Sequence, residues 1–559
     1  MRHIFIAFSI FLMVSSCGTV DGVIFSWGDT DTRYAHDQEP DNIVDHAFRY
    51  PAWKGERVFA QAVLYVSEEV RDVRLYFSDL VSEDGVIPES SIEVGFVKYV
   101  WADDFIDGYR QCGYRNRHEQ DSLLVADMVD IATRTDIQAE HCQPVWLTVS
   151  VPSTAPAGKY SGKLKVRGRG MKTMELPIEL QVIDDTLPSP HQWKFHLDLW
   201  QNPYSVARVH DVGLWSQEHF DYMRPVMQKL ADAGQKVITA TIMNRPWNGQ
   251  TEDPFDSMVS KTMKENGEWE YGYEVFDKWV EFMMSLGIDR QINCYTLIPW
   301  NLEFDYFDEV SGQMKTLKAE PGSSDYKLYW VSFISDFAAH LRAKGWFEKT
   351  CIAMDERTQE AMNAALETIA DADPEFRVSF AGNWHQDIET EIFDYCVAFR
   401  HPMPKEVIQR RRSEGRKSTY YTCCAEKYPN LFTVSPLVEA VWIPWYALAN
   451  DYDGFLRWAY NHWTADPLHD TRFRTWTSGD CYCIYPEGRS SLRFDKLVEG
   501  IQDYEKAVIL REKWADEGDI RKLEAFDEVL KAFDFDTISK EGASDAVHMA
   551  KAFIRQHYQ

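Results

Sequence analysis

Basic residues are in short supply in this chain, with 59 lysines and arginines against 88 aspartates and glutamates and a formal charge of −29. That deficit disfavours nucleic acid or an anionic membrane surface as a partner, and no nucleic acid is expected. Cysteines number ten in 559 residues and follow no regular spacing. Once Cys17 is set apart an odd number remains, so a disulfide scaffold is excluded and at least one thiol is unpaired within the monomer. Cys423 with Cys424 and Cys481 with Cys483 lack finger spacing, so buried thiols are expected there and no metal. Three catalytic signatures are also missing: Gly-x-Ser-x-Gly, His-Glu-x-x-His and the phosphate-binding Gly-x-x-x-x-Gly-Lys. Asp451-Tyr-Asp-Gly454 opens like a calcium loop but lacks its closing acid, and it reads as a turn. No cofactor is expected.

What the sequence does contain begins at the N-terminus. Arg2 and His3 precede the apolar run Ile4 to Val14, and Ser15-Ser16 lead into Cys17. That order predicts an export signal over residues 1–16. The run is too short to cross a bilayer core of roughly 30 Å. Its Val-Ser-Ser-Cys ending resembles a bacterial lipobox, so Cys17 is the expected lipidation site of an exported, membrane-anchored lipoprotein, periplasmic or on the cell surface.

Two patterns divide the remainder. After a short tether, residues 18–187 are expected to form a β-sandwich, with alternating strands at Val58 to Val66, Val70 to Phe77, Ser91 to Tyr99, Val145 to Val151, Ser161 to Val166 and Leu176 to Val182. Asp184-Asp-Thr-Leu-Pro-Ser-Pro190 has linker character. From Trp193 short apolar runs alternate with helix-period stretches, which predicts repeated βα units over 188–512. The strand candidates are Lys194 to Trp200, Lys236 to Ile242, Gln291 to Leu297, Thr350 to Met354, Arg377 to Ala381, Tyr395 to Phe399, Thr419 to Cys423 and Gly454 to Tyr460. Eight of them make a TIM (β/α)8 barrel the expected fold. Phe494, Leu497, Val498, Ile501 and Tyr504 recur at helical spacing, and residues 513–559 are expected to be helical.

In such a barrel the chemistry lies at the carboxyl ends of the strands. The fourth candidate, Cys351-Ile-Ala-Met354, runs directly into Asp355-Glu356. Acidic dipeptides also occur in exposed loops, as at Asp184-Asp185, so it is the strand-end position that carries the argument. Two carboxyl groups share glycosidic work when one is kept protonated and the other ionised. Consecutive strand side chains point apart, which makes nucleophile and acid an awkward assignment for neighbours. A substrate-assisted route removes the difficulty: the acetamido oxygen of the sugar attacks, Asp355 orients the amide N–H, and Glu356 protonates the leaving oxygen and then activates water.

The sequence also resembles glycoside hydrolase family 123. The likeness rests on Leu197-Asp-Leu-Trp-Gln-Asn-Pro203, Met354-Asp-Glu356, Tyr421-Thr-Cys-Cys424, Gly454-Phe-Leu-Arg-Trp-Ala-Tyr-Asn461 with Trp463, and Arg489-Ser-Ser-Leu-Arg-Phe494 through Gly500-Ile-Gln-Asp-Tyr504. The resemblance implies a sandwich followed by a TIM barrel and a retaining β-N-acetylgalactosaminidase acting on terminal β-linked N-acetylgalactosamine of a glycolipid or glycoprotein. In that family an Asp-Glu pair works by the acetamido route, and it maps onto Asp355 and Glu356.

Further sugar contacts are expected from strand ends: His196 and Asp198 on the first strand, Asn383 and Trp384 after the fifth, Tyr421 on the seventh, and Asn461 with Trp463 after the eighth. Trp384 or Trp463 offers an aromatic face for the ring. Arg457, inside a strand, needs an acidic partner, and Asp355 is a candidate. Two other readings stay open: a β-hexosaminidase of different specificity, for example toward N-acetylglucosamine, and a glycan-binding lipoprotein without activity.

Overall fold

The computed structural model describes residues 22–44, 46–103 and 122–558. The expected export signal and Cys17 lie outside the described residues. Two seven-stranded sheets organise the N-terminal region, one of them completed by the two-residue strand Ser490–Ser491 from far along the chain. All six expected strands are present, among them Arg57–Val66, Val70–Phe77 and His141–Ser150. Val23–Gly28, Phe48–Lys54 and Ser122–Val129, not among the strands expected from the sequence, also belong to the sheets. Val70–Phe77 shows the governing pattern: Val70, Val73, Leu75 and Phe77 are buried while Arg71, Arg74 and Tyr76 face solvent. A pleated strand with one covered face takes that alternation. Arg57–Val66 is buried nearly throughout, because its sheet is covered on both sides. Ala60, Ala62 and Leu64 join the sandwich core, whereas Phe59 joins the core of the following domain.

All eight expected barrel strands are present: His196–Leu199, Val237–Thr241, Gln291–Tyr295, Thr350–Asp355, Arg377–Gly382, Asp394–Ala398, Lys417–Tyr421 and Gly454–Arg457. The first pairs in parallel with the eighth, and the others follow in chain order around to the second. Closure between the first and second strands is slight, one bridge between Leu197 and Gln235 plus Lys236 N–H donating to the Leu197 carbonyl at 3.0 Å. The expected architecture, a β-sandwich and a TIM-like barrel with C-terminal helices, is therefore the one found. One part was not foreseen. The segments after the second and third strands build a separate four-stranded sheet from Ser260–Met263, Trp269–Gly272, Glu303–Asp308 and Gln313–Lys318. Its strands are short and half-exposed, so they carry no buried apolar run for a sequence reading to find.

Helix Leu492–Glu517 buries the expected stripe of Phe494, Leu497, Val498, Ile501 and Tyr504, and three further helices follow to Arg555. It also carries the link to the sandwich. Arg493, fully buried, donates through Nε to both oxygens of Asp127 at 3.1 and 3.0 Å, while Tyr485 Oη donates to the same carboxylate at 2.7 Å. Arg33 approaches it at 3.4 Å. Trp146 Nε1 donates to Asp495 at 2.8 Å, and Lys506 pairs with Glu56 at 2.9 Å.

Removing one member of a buried charge cluster leaves the others unpaired, at a cost of about 3–5 kcal/mol. Asp127→Ala is accordingly expected to lower the midpoint of chemical unfolding by a corresponding amount. An unchanged midpoint would show that Arg33, Tyr485 and Arg493 find other partners.

Candidate active site

The fourth barrel strand ends at Asp355, and the backbone departs from strand geometry at the next residue. Glu356 has φ +44°, a left-handed conformation that is costly for a residue with a Cβ. Its N–H still donates to the Ala381 carbonyl at 2.7 Å, which anchors the bend to the fifth strand. The alternation that points neighbouring strand side chains apart therefore stops at Asp355. Both carboxyl groups line a single cavity at the carboxyl end of the barrel.

Their environments differ. Asp355 is buried, and its Oδ1 has no hydrogen-bond partner. Burial pushes its carboxyl up to about 6; the Arg357 guanidinium opposes this, the Glu356 charge adds to it, and the Trp247 indole N–H works against it. Arg357 is held back from the pair by a 2.8 Å bond from its Nε to the Ile298 carbonyl and by stacking over Trp300, 4.1 Å from the ring centre. Glu356 is exposed, and Tyr421 Oη donates to its Oε1 at 3.0 Å. One carboxyl group is thus sealed and short of a donor, and the other is open to solvent with one oxygen fixed.

Aromatic rings form the rest of the wall. Trp200 and Trp247 have ring centres 5.2 Å apart, and Trp458 stands edge-on to both at 5.7 and 5.2 Å. Tyr295 supports Trp200 from behind at 4.5 Å. Trp476 lines the cavity with its Nε1 bonded to the Gln250 carbonyl at 3.1 Å. A rigid aromatic floor beside polar groups is what a sugar ring requires, since its C–H face is apolar and its edge is hydroxylated. Asp480 supplies a further carboxylate, gripped by Arg457 Nη2 at 2.6 Å. Arg457 also donates to the Thr422 carbonyl at 3.1 Å, so the acid it braces is Asp480 and not Asp355.

Among the strand-end candidates the structure brings Tyr421 to the pair. His196 lies at the other end of the barrel, 3.7 Å from Asp394. Asp198 is enclosed in the barrel interior, where burial and then the Asp394 charge hold its carboxyl well above the ordinary range. Asn383 is exposed, with its carbonyl accepting from Tyr395 Oη at 2.9 Å, and Trp384 packs against the hydrophobic core. Asn461 ties two loops together through the backbone of Asn202, with bonds of 2.9 and 2.8 Å. Trp463 is fully buried, its Nε1 donating to the Ile484 carbonyl at 2.7 Å. Trp384, Asn461 and Trp463 thus have packing or bonding roles, and none of these side chains, those of His196, Asp198 and Asn383 included, lines the cavity. The rings that do, Trp200 and Trp458, stand one residue beyond the first and eighth strands, within the motifs Leu197 to Pro203 and Gly454 to Asn461. Trp247, Gln250, Trp476 and Asp480 come from long loops with no periodic pattern. The cysteine expectation needs one correction: Cys424 is disulfide-bonded, whereas Cys423 beside it is a free thiol. Among the described residues no group of three or more His, Cys, Asp or Glu side chains is placed to hold a metal ion.

Residues 200–510 match the family described as Glycoside hydrolase 123, catalytic domain, and residues 27–168 match its N-terminal domain. The chain is similar to the solved structure of a family 123 glycoside hydrolase from Clostridium perfringens, studied for glycolipid glycan hydrolysis. The TM-score is 0.85 at 26% identity, over 96% of this chain and 98% of that one. A family 5 xyloglucanase from Bacteroides ovatus aligns over 82% of this chain and 98% of that one, with a TM-score of only 0.30 at 9% identity. No curated protein matches.

A carboxyl group whose folded-state pKa is raised holds its proton more tightly in the native protein, so its contribution to stability is lost as pH rises from the unfolded value through about 6. Asp355→Asn removes this cost. The variant is expected to be more stable than the parent by about 2–3 kcal/mol at pH 8, with the difference closing near pH 4. Thermal unfolding at the two pH values measures it, and a variant less stable at pH 8 would mean that Asp355 is paired in solution.

Proposed function

Because the chain belongs to glycoside hydrolase family 123, we propose that it is a retaining exo-β-N-acetylgalactosaminidase in which the substrate's own acetamido group is the nucleophile. The observation that carries the reading is the contrast within one dipeptide: a buried Asp355 with an oxygen lacking a donor, and an exposed Glu356 held by Tyr421. Asp355 accepts the amide N–H, which turns the acetamido oxygen toward the anomeric carbon. Glu356 protonates the glycosidic oxygen as the bond to the aglycone breaks. The acetamido oxygen closes on the anomeric carbon, and the ionised Asp355 balances the positive charge of the resulting oxazolinium. Glu356 then takes a proton from the water that opens the ring, and two inversions restore the β configuration. An exposed group suits this role, since the aglycone it protonates leaves toward solvent and the water that returns the proton enters from there.

Trp200, Trp247 and Trp458 give the apolar face of one terminal sugar a floor, and the carboxylate of Asp480 faces its hydroxyl edge. The choice of N-acetylgalactosamine rests on the family, and the similarity to the Clostridium perfringens enzyme supports a glycolipid as the source of the glycan. The Val14-Ser-Ser-Cys17 ending supports an exported protein tethered by lipid at Cys17, which would hold the enzyme close to a membrane-borne substrate.

Nitrophenyl β-glycosides test the substrate. The 2-acetamido galactoside is expected to be cleaved and the plain β-galactoside to be a poor substrate. Comparable rates on the two would sink the acetamido route, and faster cleavage of the N-acetylglucosaminide would reassign the sugar.

Variants test the roles. A positioned general acid contributes roughly 10²–10⁴-fold, and most of it when the leaving group is poor. Glu356→Gln is therefore expected to lose activity severely on natural glycans but to retain much of its first-step rate with an activated phenolate. Asp355→Asn is expected to slow both alike. Since Asp355 works ionised, kcat/KM of the parent falls as pH drops through about 6, and this acidic limb disappears in Asp355→Asn. Proton NMR showing the α anomer as first product would overturn the scheme.

A further inference from the structure

At the opposite end of the barrel from Asp355, the amino-terminal ends of the strands enclose a second cavity, of about 660 Å³. That volume is ordinary for a small-molecule site, for which roughly 300–1,000 Å³ is typical. Its charge is not ordinary for this chain. Eight lysine or arginine side chains and three carboxylates line it, in a protein of formal charge −29. The cations are arranged by the fold: Lys236, Arg290 and Lys349 immediately precede the second, third and fourth strands, and Arg377 and Lys417 open the fifth and seventh. Residues spread over nearly two hundred positions thus converge on one rim.

Simple pairing with neighbouring acids accounts for part of the ring. Arg412 binds Asp453 at 3.1 Å, Arg377 approaches Glu348 at 3.4 Å, and Arg290 approaches Asp289 at 3.8 Å. Three lysines are left over. Lys236 is buried and donates only to the carbonyls of Pro190 and His191, at 3.0 and 3.1 Å. Lys349 donates to the Asp289 carbonyl at 3.0 Å, and among the described residues the Lys417 ammonium has no ion pair. Asp394, a buried carboxylate that opens the sixth strand, is taken by Gln291 at 2.6 Å and faced by His196. None of these three ammonium groups is in an ion pair among the described residues, although the Glu505 and Asp289 carboxylates act on Lys236 from farther off; together with the arginines on the same rim they leave the concavity with an excess of positive charge, which a bound anion offsets.

We propose that this basal cavity is a binding site for a phosphate-bearing oligoanion, held by Lys236, Lys349 and Lys417 and distinct from the sugar site. Separate ammonium groups suit phosphoryl oxygens, which accept several point-charge donors at once. The proposal is independent of the hydrolytic reading, because no residue of the catalytic cavity contributes to it.

Inorganic pyrophosphate is the probe, titrated calorimetrically into the full chain at low ionic strength. Saturable binding is expected, weakened about tenfold or more in Lys349→Gln/Lys417→Gln and in the same direction in the single variant Lys417→Gln. Glycoside hydrolysis should be unchanged in both. Lys163→Gln/Lys165→Gln, which removes the same charge from the sandwich surface, should bind as the parent does. Co-sedimentation with phosphatidylcholine vesicles, with and without phosphatidylglycerol, identifies the source: binding that needs the anionic lipid and both lysines assigns a headgroup, and pyrophosphate binding alone assigns a soluble phosphate. No saturable binding of either probe, or binding equal in parent and double variant, overturns the proposal.

Discussion

One backbone reversal organises the catalytic end of this protein. A strand that continued past Asp355 would send the next side chain to the opposite face, and the pair would be split between barrel and solvent. The left-handed conformation of Glu356, worth about 1–3 kcal/mol of strain for a non-glycine residue, brings both groups to one cavity while leaving them in unlike surroundings. Adjacency in sequence thus becomes division of labour. The fifth strand holds the bend through the Ala381 carbonyl, and the seventh fixes the outer carboxylate through Tyr421.

The remainder of the site is built from loops that depend on buried polar ties more than on regular structure. Arg457 leaves the eighth strand fully buried and gathers Thr422, Asn430 and Asp480 around itself. Asn461 does the same for the loop that begins the first helix of the barrel. Such residues are costly if unpaired and position neighbouring groups accurately when paired. They act on the sugar site from behind, through the groups they hold.

How much of this was legible in the sequence followed from period and length. Barrel strands such as Val237–Thr241 are buried throughout and stand out as runs of apolar and β-branched residues, and the position of Asp355 and Glu356 followed from the strand before them. Trp463 and Asn461 were misplaced for a related reason. The eighth strand stops at Arg457, so residues expected at its end lie in a folded-back loop, and Trp458 takes the wall position instead. Asp480 could not be foreseen, because its place depends on a guanidinium twenty-three residues earlier in the chain. The basal cations were hidden by composition, since a formal charge summed over the chain says nothing about where the few positive groups gather.

The Asp127 cluster bears on how such a molecule can change over evolutionary time. A carboxylate from the sandwich neutralises Arg493 of the barrel's last helix, and Glu56 does the same for Lys506. A recombination event that joined this barrel to an unrelated N-terminal module would take from Arg493 its carboxylate and leave Lys506 with Asp503 alone. The two parts are therefore poor candidates for modular exchange, and ancestral shuffling of either one alone would have required the charge pairs to be rebuilt on both sides at once.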